Sequence, residues 1–586
     1  MERYGRVARV FKNDKSALIM YGYSITINSK TPALDGDICY ENIVCSNQMI
    51  NKFEQDKLFA DIDDYIVILD GVILNRLELI NKSNQGEDSS WLNTIVSLYK
   101  EQGDCFFSKL RGSYSGAIYD KSKKKWIIFG DHLGSKFTYY ARVGDFFCCS
   151  QVMGHMYEMM KDNGVNYHLS IENAMFLLTY GFMIDDRTIC EEVHKINPGC
   201  YITIQDGKLQ EHRFYLLDNS PKPLKDDNEA IEMVDSLFRQ AIKRQFEKDK
   251  EYGYNHIVAL SGGLDCRMTS FVAHDMGYTD QLNVTFSQTG YWDQTIPMKI
   301  ASDLKHEWLF KALDNGVWLY NVDKITRTTG GNVLYYGTAH GDSLLKYINF
   351  EGLGLMHSGQ LGDVIIGSWV KSREEQQQKY RLGEGAYSKK YIEYLDLIKP
   401  SLDLNKELGL FYYRGLNGTN NGLQNTYNYT ESLSPFCDID FFENILSIPV
   451  ALRQGHSLYK KWILTKYPQA ANYVWETTGV RIDAPMVTIK GKSVPLSLIP
   501  SRIGGRIKNS IGIHKDNLNS LKHMNPVSYY INNNNELRSY LFDYFKYTDS
   551  IENKELREVL QDIKEKGTGM EIIQAVSLLA VIKLFF

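Results

Sequence analysis

Up to about residue 215, short apolar runs alternate with glycine and aspartate turns. Tyr65-Ile66-Val67-Ile68-Leu69, Gly116-Ala117-Ile118-Tyr119, Trp126-Ile127-Ile128-Phe129 and Cys200-Tyr201-Ile202-Thr203-Ile204 read as strands, and Asp206-Gly207 as a hairpin turn. The pattern predicts an antiparallel, β-rich region with a few helices. It changes after "NSPKPLKDDN" (Asn219 to Asn228), where Pro221 and Pro223 mark a linker. Ile231, Val234, Phe238, Ile242 and Phe246 then recur at helical spacing, with Asp227 or Asn228 as the cap. Apolar strands at Ile257 to Leu260, Leu282 to Phe286 and Leu353 to Met356 alternate with helices, the signature of a parallel sheet with helices on its faces. After about 370 the pattern is mostly helical. The tract Asn532 to Asn535 reads as a loop. The last apolar segment, Ile572 to Phe586, is broken by Gln574, Ser577 and Lys583 and reads as a buried helix too short to span a bilayer. The expected organisation is a β-rich domain over 1–215, a linker over 216–228 and an α/β domain over 229–586.

A chain of 586 residues exceeds one core, in keeping with two domains. The net charge of −5, with acids and bases interspersed, gives no footprint for nucleic acid or an anionic membrane. Nine cysteines without CxxC spacing read as reduced thiols of a cytoplasmic protein, not a disulfide framework or zinc site. The opening "MERYGRVARVFKNDK" lacks the apolar run of a signal peptide. Oligomeric state is not legible.

The chemistry concentrates in "HIVALSGGLDCRMTSFVAH", His256 to His274. Ser261-Gly262-Gly263 follows a buried strand and opens a helix. Glycines let backbone N–H groups close on a phosphate, and a helix N-terminus adds about half a positive charge. Asp265 is then placed to hold magnesium beside the phosphates. The stretch is not a GxxxxGK[ST] loop, and "KGKS" at 490–493 lacks the required glycine, which disfavours a kinase or GTPase of that kind.

SGGLDCR resembles the SGGxDS pyrophosphate loop of enzymes that adenylate a substrate with ATP and release pyrophosphate, with Cys266 in place of the serine. "MHSGQLGDVIIGSW" (Met356 to Trp369) resembles the "LSGEGADELFGGY" block of asparagine synthetases. "NVTFSQTGYWDQTIPMKIASDLKHEW" is similar to their adenine-side strand and helix, "ESLSPFCD" (Glu431 to Asp438) to their "EARVPFLD", and "GHSLYKKWILTKYP" to their "GKxEKHILRE". "LRGSYSGAIYDKSKKKWIIFGDHLGSKFTYY" (Leu110 to Tyr140) and "INPGCYITIQDGKLQEHRFY" resemble the family's glutaminase domain. The resemblance implies an α+β, Ntn-hydrolase-like β-sandwich domain, then an α/β parallel-sheet domain of the adenine nucleotide α-hydrolase-like (PP-loop) kind with a helical C-terminal part. It implies ATP and Mg2+ as cofactors. Leu260, Ser261, Gly262, Gly263, Asp265, Cys266, Arg267, Ser287, Ser358 and Gly359 would surround the nucleotide, with Asp265 and Asp363 on the metal. Arg267 would help hold phosphate where the weaker donor Cys266 replaces serine. Glu431 would be the general base, Lys461 would stabilise the oxyanion and the departing AMP, and Gln360 stands where asparagine synthetases carry glutamate and β-lactam synthetases tyrosine.

The chain departs from the family in its first half. Glutamine-using members need a cysteine after the initiator methionine, and Glu2 stands there. Their "NGEIYN" reads Asp70-Gly71-Val72-Ile73-Leu74-Asn75, and their "SDTE" aligns with Ser90-Trp91-Leu92-Asn93. Valine and tryptophan cannot replace carboxylates that pair with a zwitterion. Loss of the glutaminase beside a retained adenylating site is the pattern of β-lactam synthetases and lasso-peptide cyclases. The expected function is an AMP- and pyrophosphate-forming amide synthetase joining a small-molecule or peptide carboxylate to an amine, with no nucleic-acid or membrane partner. The alternatives are an ammonia-dependent asparagine synthetase, a lasso-type macrolactam cyclase and a nucleotide-binding scaffold.

Overall fold

The strand at Tyr65–Ile73 is apolar at consecutive positions rather than alternate ones, so both of its faces must be covered. A computed structural model, which describes residues 21–83, 90–386, 388, 390–489, 492–496 and 520–586, shows how. Twelve strands form two six-stranded antiparallel sheets. The first orders β10 (Val193–Lys195), β8 (Tyr139–Val143), β9 (Phe146–Ser150), β1 (Gly22–Ile27), β3 (Ile43–Gln48) and β2 (Ile38–Tyr40). The second orders β12 (Lys208–Arg213), β11 (Cys200–Gln205), β7 (Lys125–Gly130), β6 (Gly112–Asp120), β5 (Tyr65–Ile73) and β4 (Leu58–Ile62). Ile66, Ile68 and Ile128 of the second sheet meet Tyr23, Ile25 and Cys149 of the first. The alternate residues Val67, Leu69 and Ile127 face outward under the helix Trp91–Gln102 and Phe106-Phe107. This layering explains why β5, β6 and β7 are buried on both faces. Asp206 and Gly207 turn the β11–β12 hairpin, both with positive φ, as the sequence predicts.

The long helix α1 (Asp227–Glu251) opens the C-terminal part. Its cap is Asp226, one residue before the two expected, because only that carboxylate reaches the Glu229 N–H, at 2.9 Å. A five-stranded parallel sheet follows in the order β15 (Glu307–Ala312), β14 (Gln281–Ser287), β13 (Asn255–Ala259), β16 (Leu353–His357) and β17 (Ser432–Leu433). The chain runs from β13 outward through β14 to β15, then returns to the other side of β13 with β16. Strand order therefore reverses between β13 and β16, and a crevice opens beyond the carboxyl ends of these two strands.

The Asn532 to Asn535 tract is a joint between helices rather than a loop. Asn534 accepts from Leu537 N at the start of Asn535–Asp543, a role its short amide suits. The C-terminal helix Gly569–Phe585 is buried from Ile572 to Ile582, and Phe585 stacks on Tyr157 at 4.2 Å. All nine cysteines are free. Among the described residues no helix is long and apolar enough to cross a membrane.

Candidate active site

Two loops meet at the crevice. The first, Leu260 to Leu264, joins β13 to α2 (Asp265–Asp275), and the second, Ser358 to Leu361, joins β16 to the short α3 (Gly362–Gly367). Glycine makes the meeting possible. A Cβ on Gly359 would lie 2.3 Å from Cys266 N, and one on Gly362 2.7 Å from Asp265 Cγ. Leu361 takes a left-handed conformation, φ 66°, to complete the turn, a strained choice for a bulky residue. The Thr269 hydroxyl donates to Ser358 O at 3.3 Å and ties α2 to the second loop.

Ser261, Gly263, Asp265, Cys266, Ser358, Gly359 and Gln360 line the resulting cleft of about 350 Å³. α2 has no side-chain cap, so its first N–H groups are left for a ligand at the cleft. Burial first, and then Asp363, push the Asp265 carboxyl well above the usual carboxylate range. Asp363, whose side chain is 53% exposed, is raised too, by partial desolvation. Two carboxylates that disfavour each other's charge, on separate strand ends, form a hard oxygen site that a divalent cation would relieve. The Tyr459 hydroxyl donates to Asp265 Oδ1 at 3.0 Å and orients it. Burial and the Asp265 carboxylate push the Cys266 thiol up to about 11, so it stays neutral. At the neighbouring strand ends, Leu260 N donates to Val284 O at 2.9 Å, and Ser287 Oγ is buried without a hydrogen-bond partner among the described residues. The donor set fits magnesium and a phosphorylated ligand.

Three expectations change. Arg267 is fully buried and donates to the carbonyls of Gly262, Ala470, Tyr473 and Val474, so it pins the loop to the 470–474 segment instead of facing phosphate. Lys461 pairs with Asp227 on the surface. The neighbouring Lys460 instead lies over the Trp475 ring, 5.3 Å from its centroid, and burial lowers its pKa. His456, which stands against Trp475, brings its Nε2 to 4.0 Å from Asp363 Oδ2. On a helix a one-residue offset rotates the side chain by about 100°, which a sequence alignment does not register.

Glu431 is the third. It is fully buried at the boundary with the N-terminal sheets, with Lys57 Nζ and Lys136 Nζ each 3.0 Å from its carboxylate. The same lysines hold Asp70, at 3.3 and 2.5 Å. Burial pushes the Asp70 carboxyl up, and Lys136 and Lys57 more than offset it, taking it down to about 2. Two cations already engage Glu431, and it does not line the cleft.

Where the resemblance puts a glutamine-binding glutamate, Val72 is fully buried and packs with Phe53 and Leu355. Trp91 is buried and donates from its indole to Asp56 O at 2.9 Å. Glu2, Lys490 and Gly491 lie outside the described residues.

Asp293 is a residue that the motifs did not single out. Its Oδ1 accepts from Gly262 N at 2.7 Å and braces the glycine loop from α4 (Trp292–Leu304). Burial, reinforced by Glu476, raises its carboxyl to about 6. The one signal for it in the sequence is its place in "GYWDQT", the start of a helix facing the loop.

Residues 51–215 match a glutamine amidotransferase domain family. The chain is 23% identical over 274 residues to a glutamine-hydrolyzing asparagine synthetase of Bacillus subtilis, covering 45% of this chain and 41% of that protein. It is 25% identical over 214 residues to asparagine synthetase B of Escherichia coli, covering 36% and 32%. It is also 24% identical over 180 residues to amidase chry2 of Gibberella zeae, covering 29% and 24%. The matched stretch is less than half the length of each of these relatives.

Proposed function

The chain belongs to the asparagine synthetase family, and from that premise we propose that it is an ATP-dependent amide synthetase that activates a substrate carboxylate as its adenylate without hydrolysing glutamine. The observation that carries this reading is the glycine-enforced contact of the two strand-end loops, which sets Asp265 and Asp363 at one crevice. In the first half-reaction a carboxylate oxygen attacks the α-phosphorus of ATP and pyrophosphate leaves. An amine then attacks the acyl carbon, AMP departs, and the amine's proton is released.

Magnesium held by Asp265 and Asp363 would neutralise charge on the leaving pyrophosphate. Tyr459 keeps Asp265 turned to the cleft, Asp293 holds the Gly262 backbone, and the uncapped first N–H groups of α2 would receive the phosphates. Gln360 can orient either reactant but cannot accept a proton at neutral pH. Lys460, over Trp475 and beside His456, would steady charge on the departing phosphate. With Glu431 engaged elsewhere, Asp265 is the only carboxylate lining the cleft among the described residues, and the proton leaves through substrate or water. Replacement of the glutamine-binding carboxylates by Val72 and Trp91, both packed in the core, supports the independence from glutamine.

Magnesium-dependent ATP–pyrophosphate exchange with a panel of carboxylic acids tests the proposal. Exchange by the native chain, lost in Asp363→Asn with an unchanged melting profile, is the expected result. Exchange that survives in Asp363→Asn would remove the metal role and the reading with it.

A further inference from the structure

The buried Lys57, Asp70, Lys136 and Glu431 lie away from the cleft, and the reaction above uses none of them. Their place in the fold gives them a task. Glu431 begins the segment that forms β17, which at two residues is the shortest strand of the parallel sheet. Segment 430–434 is stitched to the strand carrying the second loop, residue by residue. The Thr430 hydroxyl donates to Gly354 O at 2.7 Å, Met356 N to Glu431 O at 2.9 Å, the Ser432 hydroxyl to Met356 O at 3.0 Å, and Ser358 N to Leu433 O at 2.9 Å. The Ser434 hydroxyl reaches Gln360 O at 2.9 Å, inside the loop itself. A strand this short carries too little ladder to specify its own register, and a slip of one residue would turn every side chain to the opposite face.

The N-terminal half supplies what the ladder lacks. Lys57 and Lys136 grip the Glu431 side chain from two directions. At the other end of β16, Lys52 Nζ donates to Phe350 O at 2.5 Å, Glu351 O at 2.9 Å and Leu353 O at 3.0 Å. Three buried lysines from the N-terminal half therefore hold the two ends of the unit that presents Ser358, Gly359 and Gln360. A buried charge pair is a directional restraint, because any shift that leaves one charge unpartnered in low dielectric is costly.

We infer that Lys52, Lys57 and Lys136 are positioning residues for the adenylation site, fixing the register of β16 and β17 so that Gly359 seats against the start of α2. The consequence for rate rests on the proposed function; the consequence for the loop does not. On this inference, the half of the chain that has lost its glutamine-binding groups remains necessary as the frame that sets the geometry of the other half.

The experiment uses the full chain with Lys136→Met, Lys52→Met and Glu431→Gln, and Lys82→Met at the exposed pair with Glu78 as control. Hydrogen exchange followed by mass spectrometry reads the loop directly. Peptides spanning 353–362 are expected to exchange at least about tenfold faster in the three variants, with peptides from the C-terminal helix unchanged. ATP–pyrophosphate exchange is expected to lose about tenfold or more in kcat with the KM for ATP within about threefold, and Lys136→Arg is expected to recover part of it. Folded variants with unaltered exchange at 353–362 would overturn the inference even if catalysis changed. Global loss of protection in all three would overturn it too, by assigning the lysines to stability alone. Faster loop exchange in a protein without ATP–pyrophosphate exchange would uphold the positioning and reject the proposed reaction.

Discussion

The backbone nitrogen of Cys266 and the α-carbon of Gly359 approach so closely that a Cβ on the glycine would lie 2.3 Å from that nitrogen. Neither side can give way, since one is the start of α2 and the other a loop tied down by Thr269 and Leu433. Gly359→Ala is therefore expected to force the loops apart, at a stability cost of about 1–3 kcal/mol. A displacement of about 1 Å at a reacting centre costs about 10²-fold, so ATP–pyrophosphate exchange should fall by that order. A folded Gly359→Ala protein with parental exchange would mean that the loop contact has no part in the chemistry.

Lys460 and Lys461 offer a sharper contrast because they are neighbours on one helix. Lys461 is half-exposed and paired with Asp227, and exposed pairs are worth about 0–1 kcal/mol. Lys461→Ala is expected to keep turnover within about twofold. Lys460→Ala removes the cation beside His456 and Trp475, and loss of such a charge-stabilising donor costs about 10²–10³-fold. Steady-state rates of the two variants with any acid that supports exchange decide between them, and a larger loss in Lys461→Ala would reverse the assignment.

Asp293 carries a pH signature. Its folded-state carboxyl sits at about 6 against 3.8 unfolded, raised by burial and then by Glu476. The folded state thus prefers the neutral acid: the stabilisation is complete below about 3.8 and lost as pH rises through 6. Asparagine keeps an oxygen for the Gly262 N–H and carries no charge. Asp293→Asn should therefore be more stable than the parent at pH 8 by about 1–3 kcal/mol, with the difference closing below pH 4. Urea unfolding at the two pH values measures this; a gap that persists in acid would show that charge is not its source.

Glutamine is not expected to supply nitrogen. Val72 and Trp91 are packed into the core where the resemblance places carboxylates for the zwitterion, and an apolar surface there cannot offset its desolvation. Incubation of the protein with glutamine should release glutamate no faster than a heat-denatured sample does. Sustained release above that background would show that a working glutaminase site survives.

Much of the architecture is legible in the order of residues alone. Short apolar strands with the Asp206-Gly207 turn, the proline-marked segment at 219–228 and the strand–helix alternation beyond it depend on local chemistry, and local chemistry is written in order along the chain. The glycine loop before Asp265 is legible for the same reason: its residues are consecutive, and glycine after a buried strand has few physical uses. What only the tertiary structure decided concerns partners distant in sequence. Lys57, Lys136 and Glu431 carry no mutual signal, since a buried ion pair obeys no spacing rule and Glu431 keeps the motif position while its partners come from the other half of the chain. Arg267 shows the same limit, because a cation beside a phosphate loop and a cation spent on four backbone carbonyls read identically in sequence. The exchange of Lys461 for Lys460 has a simpler cause: one residue along a helix is a turn of about 100°, and rotation about a helix axis is set by what the helix packs against.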